Sequence, residues 1–258
     1  MVELAEVSKR GTPRLEPPER KAEMNVVSIM AHQDDEMRCL GTMLKCQARG
    51  DKLFFVTVTD GAGGIFQTPP LSREQGAAIR DLEMTALAGA IGAEYINLRE
   101  HDEWLYDTPE VRRKIMEVMR RTGAELIFTH YFEDYNLDHT TAAQLVRHCA
   151  MHACMPLIPT DSPPLKRPPA IFMVEPHGPI TFPASHYVDV SAYHQRKVEL
   201  LAHHVSQEKA MRIAVNAGFD RLCTRLSAMR GEQVGCEFAE CFIPMPARGA
   251  VKPYGVLP

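Results

Sequence analysis

The sequence lacks any apolar run near the ~18 residues that a bilayer-spanning helix needs, so no membrane partner is expected. It also lacks a basic block: 29 Lys and Arg stand against 33 Asp and Glu, a net charge of −4. Capture of nucleic acid by electrostatics is therefore a poor reading. CxxC pairs are missing. The seven cysteines (Cys39, Cys46, Cys149, Cys154, Cys223, Cys236 and Cys241) are scattered and odd in number. This argues against a disulfide framework or a four-cysteine zinc site and points to a reducing, cytoplasmic setting. Residues 1–21 are charged and contain Pro17 and Pro18, without the apolar segment of a signal peptide. We read 1–22 as a flexible N-terminal arm and 23–258 as a single domain, long enough at 45% hydrophobic content for one large core.

What is present is an alternation. Residues 25–30 (NVVSIM), 53–58 (LFFVTV), 95–98 (YINL) and 126–129 (LIFT) are short, β-rich apolar runs. Helical patterns separate them: one from Cys39 to Gly50, one over 72–91 closed by Gly92, and one over 109–121. A fourth spans about 140–151. Such alternation predicts βαβ units, hence an α/β fold with a mostly parallel sheet flanked by helices. Beyond a Pro-rich patch at 156–169, strands are expected at 170–174 and 187–190, helices at 191–205 and 209–229, and an edge strand at 237–242. These complete the fold.

The polar clusters fall after the strands, where open α/β sheets bind ligands. His32-Gln33-Asp34-Asp35-Glu36 follows the first. A histidine and a carboxylate three residues apart on a strand-to-helix turn can share one metal ion. Catalytic zinc takes three protein ligands and leaves room for water. His139, after the fourth strand, is placed to be the third. One carboxylate of the first cluster is then spare, as a general base beside an activated water requires. The plainer alternative makes Asp34, Asp35 and Glu36 first-turn acids favoured by the helix dipole. Gly61-Ala62-Gly63-Gly64 lacks the lysine of a P-loop and the dinucleotide spacing, so close backbone approach is the better reading. His148 and His152, four apart, read as an exposed helix face before a second metal pair.

Val27 through Glu36 resembles the AHPDDE signature of the PIG-L/LmbE-like family of zinc-dependent N-deacetylases, and Asn136-Leu137-Asp138-His139 its H-x-D-H motif. Arg80, Glu83, Asp102, Lys197 and the run His204-Val205-Ser206-Gln207 are weaker echoes. The resemblance implies a Rossmann-like fold and a single Zn2+, with Fe2+ or another divalent ion also compatible with the ligand types. It implies His32, Asp35 and His139 as metal ligands, Asp34 as general base, and Arg80 and Asp102 in the substrate region. Two positions depart from the family pattern. Gln33 replaces a proline, and Asn136 stands where a histidine is common. An Asn side-chain NH2 can still donate a hydrogen bond to a developing oxyanion, so Asn136 is kept as a catalytic candidate beside Tyr135, His130 and His177.

The expected activity is removal of an acyl group, acetyl in the first instance, from an N-acylated sugar or related small amine such as N-acetylglucosamine. A same-mechanism amidase acting on a thiol conjugate or antibiotic precursor is the alternative. A non-catalytic Rossmann-like binding module is a third reading, which predicts no metal requirement. Monomer and homo-oligomer are both left open.

Overall fold

The computed structural model of the protein describes residues 23–247 and Leu257. The arm expected at 1–22 lies outside the described residues. In chain order the elements are β1 (Asn25–Met30), α1 (Leu40–Arg49), β2 (Lys52–Thr59), α2 (Arg73–Ala90), β3 (Glu94–Glu100), α3 (Pro109–Arg121), β4 (Leu126–Thr129), α4 (Leu137–His152), β5 (Ala170–Val174), β6 (His186–Asp189), α5 (His194–Leu201), α6 (Val205–Val215), α7 (Phe219–Val234) and β7 (Ala239–Pro244). A short 3-10 turn, Asp35–Arg38, stands between β1 and α1.

The strands form one seven-stranded sheet in the order β3-β2-β1-β4-β5-β7-β6. The first five are parallel; β7 pairs antiparallel with both β5 and β6. Burial on both faces explains why the central strands read as continuous apolar runs. Val26 and Met30 of β1 join one core, with side chains from α1, α2, α5 and α7. Val27 and Ile29 join the other, with side chains from α3 and α4. The period of two along β1 thus feeds both layers. No helix among the described residues is long and apolar enough to cross a membrane. All seven cysteines are free.

The chain order reverses between β1 and β4, the switch point where a doubly wound sheet opens a crevice beyond its carboxyl edge. The segments leaving those two strands carry His32 to Glu36 and His130 to His139.

Four boundaries differ from expectation. The 237–242 segment is an interior strand: β7 lies between β5 and β6, and β3 and β6 are the edges. Both faces of β7 are covered, with Glu240 and Phe242 as buried as Ala239 and Cys241. The helix expected over 191–205 ends at Leu201, and α6 begins afresh at Val205. The helix expected over 209–229 is two, interrupted at Asn216, whose left-handed backbone (φ 53°) stops α6. Finally, α4 begins at Leu137 rather than Thr140, which puts His139 on its first turn.

Candidate metal centre

Three donors converge at the carboxyl edge. His32 Nδ1 lies 3.1 Å from His139 Nε2. His32 Nδ1 is 3.4 Å from Asp35 Oδ2, and His139 Nε2 is 3.4 Å from Asp35 Oδ1. Donors about 2.0–2.1 Å from one tetrahedral ion stand about 3.4 Å apart, so this spacing suits zinc or a similar ion. Ring nitrogens this close are bridged either by a proton or by a metal ion.

Each histidine has its remote nitrogen held by carboxylates. His32 Nε2 lies 2.9 Å from Asp102 Oδ1 and 3.4 Å from Asp138 Oδ2. His139 Nδ1 lies 3.1 Å from Asp134 Oδ1. Such contacts fix the tautomer, leaving His32 Nδ1 and His139 Nε2 free to ligate. They also set the charge. Burial lowers the His32 pKa, but Asp102, Asp138 and Asp35 outweigh it and raise it well above the ordinary value. Burial likewise opposes a charged His139, yet Asp35 and Asp134 hold it above normal. Burial alone would raise Asp35, but His139 and His130 keep it well below the usual carboxylate range. The clustered carboxylates suit the binding of a divalent cation.

The supporting carboxylates are themselves fixed by backbone. Asp102 Oδ2 accepts from Gly63 N at 2.7 Å. Asp138 accepts from Glu103 N at 2.8 Å and Leu105 N at 3.0 Å. The family resemblance placed Asp102 in the substrate region; its carboxylate is occupied by His32 and the Gly63 amide. Asp134 was not singled out from sequence, since a lone loop acid carries no spacing signal. Replacing Asp134 with Ala is expected to weaken metal affinity by about 10–100-fold with the fold intact. Competition against a chelator would measure this, and unchanged affinity would separate Asp134 from the site.

His130, on the same edge, stacks on His139 with ring centroids 4.0 Å apart. Its Nε2 accepts the Ala31 N–H at 2.9 Å, so that lone pair is engaged. Burial and the His139 charge push its pKa down to about 4, leaving it neutral. With Asp134 and His139 it forms a second group of possible donors, overlapping the first at His139.

Asp34 is next to the donors. Its backbone is left-handed, φ 102°, and its N–H donates to Glu36 Oε2 at 2.9 Å. Backbone strain of this kind, worth about 1–2 kcal/mol, is tolerated where the surroundings enforce it. Burial pushes the Asp34 carboxyl up to about 6 against the pull of Arg80. Arg80 is 2% exposed and lies beneath the turn. Its Nη2 donates to the Gln33 carbonyl and stands 3.5 Å from Asp34 Oδ1.

The glycine-rich loop serves this packing. Gly61 has φ 66°, and a Cβ there would collide with Gln33 Oε1. Gln33 is fully buried and donates to Asp60 O and to Tyr95 Oη at 3.1 Å, bridging three strands. A proline there could make neither bond. The C-terminal echoes brace the centre from behind. His204 Nε2 lies 2.7 Å from Glu36 Oε1, Ser206 Oγ donates to Glu83 at 2.7 Å, and Gln207 donates to Gly64 O at 2.7 Å.

Asn136 caps α4: its Oδ1 accepts the Asp138 N–H at 2.7 Å, and its Nδ2 donates to Glu103 Oε1 at 3.2 Å. The amide oxygen and one of its two N–H groups are used. Around the mouth, the loops after β3 and β4 expose Trp104, Tyr106 and Tyr135. His148 and His152 stack on each other at 4.4 Å on α4, away from this cluster.

Residues 27–150 match the sequence model of the family described as PIG-L: GlcNAc-PI de-N-acetylase. Among solved structures, an N,N'-diacetylchitobiose deacetylase from Pyrococcus horikoshii superposes with TM-score 0.73 at 22% identity, over 86% of this chain and 83% of that one. A conserved protein from Thermus thermophilus gives 0.74 at 24% identity, over 90% and 98%. A 4-carboxy-2-hydroxymuconate hydratase from Pseudomonas putida gives 0.72 at 17%, over 88% and 98%. The sheet and its helices therefore share the fold of these three proteins. One of the three carries out a different reaction, so the fold leaves the chemistry to the site.

Proposed function

We propose that the protein, whose residues 27–150 match the PIG-L family model, is a metal-dependent N-deacylase. It would release a short acyl group, acetyl in the first instance, from a small N-acylated aminosugar or related amine. The observation that carries this is the convergence of His32 Nδ1, His139 Nε2 and Asp35, with Asp34 beside them outside the donor set. The residues that would hold the ion are His32, Asp35 and His139. Bound there, a divalent cation such as Zn2+ or Fe2+ supplies Lewis-acid polarisation of the acyl carbonyl and a water of lowered pKa.

The remaining steps belong to the chain's own groups. Asp34 takes a proton from the attacking water as its oxygen bonds to the carbonyl carbon. It returns that proton to the nitrogen as the C–N bond breaks, giving a carboxylic acid, which then ionises to solvent, and a free amine. Asp102, Asp138 and Asp134 keep the two imidazoles in one tautomer through the cycle. The exposed rings of Trp104, Tyr106 and Tyr135 offer flat apolar faces with polar edges, which suit one side of a sugar ring.

Metal analysis of purified wild type and His32→Ala tests the centre. About one divalent ion per chain is expected in the wild type and a large loss in the variant. Assays on N-acetylglucosamine, N,N'-diacetylchitobiose and an N-acylated thiol conjugate then define the substrate. A wild type that takes up no metal even with added zinc would discard the hydrolase and leave a binding module. Metal uptake with water addition to an unsaturated acid, and no amide cleavage, would make it a hydratase.

A further inference from the structure

The deacylase reading leaves one role unfilled. A carbonyl under attack develops negative charge on oxygen, and a fixed hydrogen-bond donor aimed there contributes heavily to the rate of such reactions. Asn136 has its oxygen on Asp138 N and one of its two N–H groups on Glu103, contacts that tie it to the start of α4. His130 presents an engaged lone pair to Ala31 N. A donor free of such capping contacts lies elsewhere on the carboxyl edge.

Resting on that reading, we propose that His177 donates from Nε2–H to the substrate's carbonyl oxygen, and that Arg38 sets the tautomer that makes it a donor. His177 follows β5, next to β4 in the sheet, on the edge where the metal donors gather. Tyr135 joins the two places. Its ring stands edge-on to His139 at 5.6 Å and edge-on to His177 at 6.4 Å. Arg38, at the end of the 3-10 turn that begins with Asp35, places Nη2 2.7 Å from His177 Nδ1.

A guanidinium has only donors and does not lose its proton in proteins. Nδ1 must therefore accept, and the ring's one proton sits on Nε2. Burial and the adjacent Arg38 push the His177 pKa down to about 3, so the ring stays neutral. A neutral imidazole can polarise a carbonyl by hydrogen bonding. No described residue takes Nε2. The proton stays on Nε2 throughout: His177 stabilises charge, and Asp34 moves the protons. Arg38 is a positioning residue, since it acts only through His177.

Two readouts test this. The first is the tautomer, from nitrogen NMR of histidine-labelled, metal-free full-length protein. His177 should show Nε2–H with an accepting Nδ1, and Arg38→Met should relax it to a mixture. Nδ1–H in the wild type would overturn the proposal. The second is turnover of the zinc-loaded protein on N-acetylglucosamine or whichever N-acylated amine the wild type cleaves. His177→Phe should lower kcat by about 10²–10³-fold with KM nearly unchanged. His177→Gln, which keeps an N–H, should recover part of it, and Arg38→Lys should recover more than Arg38→Met. Full kcat in His177→Phe alongside a slow Tyr135→Phe hands the role to the tyrosine and overturns the proposal, leaving the deacylase reading intact. A metal-loaded wild type that cleaves no N-acylated amine overturns that reading itself.

Discussion

Asp34→Asn is expected to keep the metal and lose turnover by about 10²–10⁴-fold, the usual contribution of general-base assistance. The choice of variant matters because position 34 is left-handed, with φ 102°. Aspartate and asparagine tolerate that conformation better than most residues. Asparagine therefore keeps the turn and removes only the basic oxygen. Alanine would add about 1–2 kcal/mol of backbone strain and confuse chemistry with folding. The turn has further support that the substitution leaves alone. Asp34 N–H donates to Glu36, whose other oxygen meets His204, and Asp35 Oδ2 accepts the His32 N–H at 2.8 Å. Metal content, measured with kcat on the same preparation, separates the outcomes. A fall in both means that the turn has collapsed. A near-normal rate with metal retained removes Asp34 from the base role.

The same turn shows how far the sequence could be read. Apolar runs that stop abruptly at charged clusters announced β1 to β4, and their alternation with helices announced a parallel sheet. Once the strands are ordered, His32, Asp35 and His139 must meet, because β1 and β4 are neighbours at the switch point. What supports them was not legible. Asp134 looks like an ordinary loop acid, and Asp138, although inside the quoted motif, shows no role until the fold places both beside imidazole nitrogens. Asn136 was weighed as an oxyanion donor because it stands where the family pattern has a histidine. A start at Leu137 turns the same residue into an N-cap, a common station for asparagine. The break between α5 and α6 has no glycine or proline to mark it; there His204 turns inward to Glu36. The break at Asn216 and Gly218 did carry a signal, which the apolar periodicity ran across. β7 was read as an edge strand, and a glutamate at position 240 gives no hint in the sequence of a covered position.

That buried glutamate leads to the largest expected loss of stability. Glu240 Oε1 accepts the Gly41 N–H at 2.9 Å and Oε2 the Thr42 N–H at 2.7 Å, so β7 caps the N-terminus of α1 across the sheet. Lys197 of α5 places Nζ 2.7 Å from Oε1, and both side chains are buried. Burial works against a charged Lys197, but Glu240 outweighs it and holds the pKa above normal. Removing the carboxylate in Glu240→Ala leaves a buried cation unpaired and two helix N–H groups without acceptors. The expected cost is about 3–5 kcal/mol, read from urea unfolding. Glu240→Leu combined with Lys197→Met removes both charges and should regain much of it, since apolar replacement of a buried pair is often neutral. The capping loss, about 1 kcal/mol, should remain. A single-variant loss below about 1 kcal/mol would show that solvent reaches the pair. The consequence reaches the metal centre, because α1 follows directly on the Asp35–Arg38 turn. Glu240→Ala should therefore weaken metal retention although residue 240 touches no donor. On this account the C-terminal strand and α5, both outside residues 27–150, hold the ligand-bearing turn against the sheet.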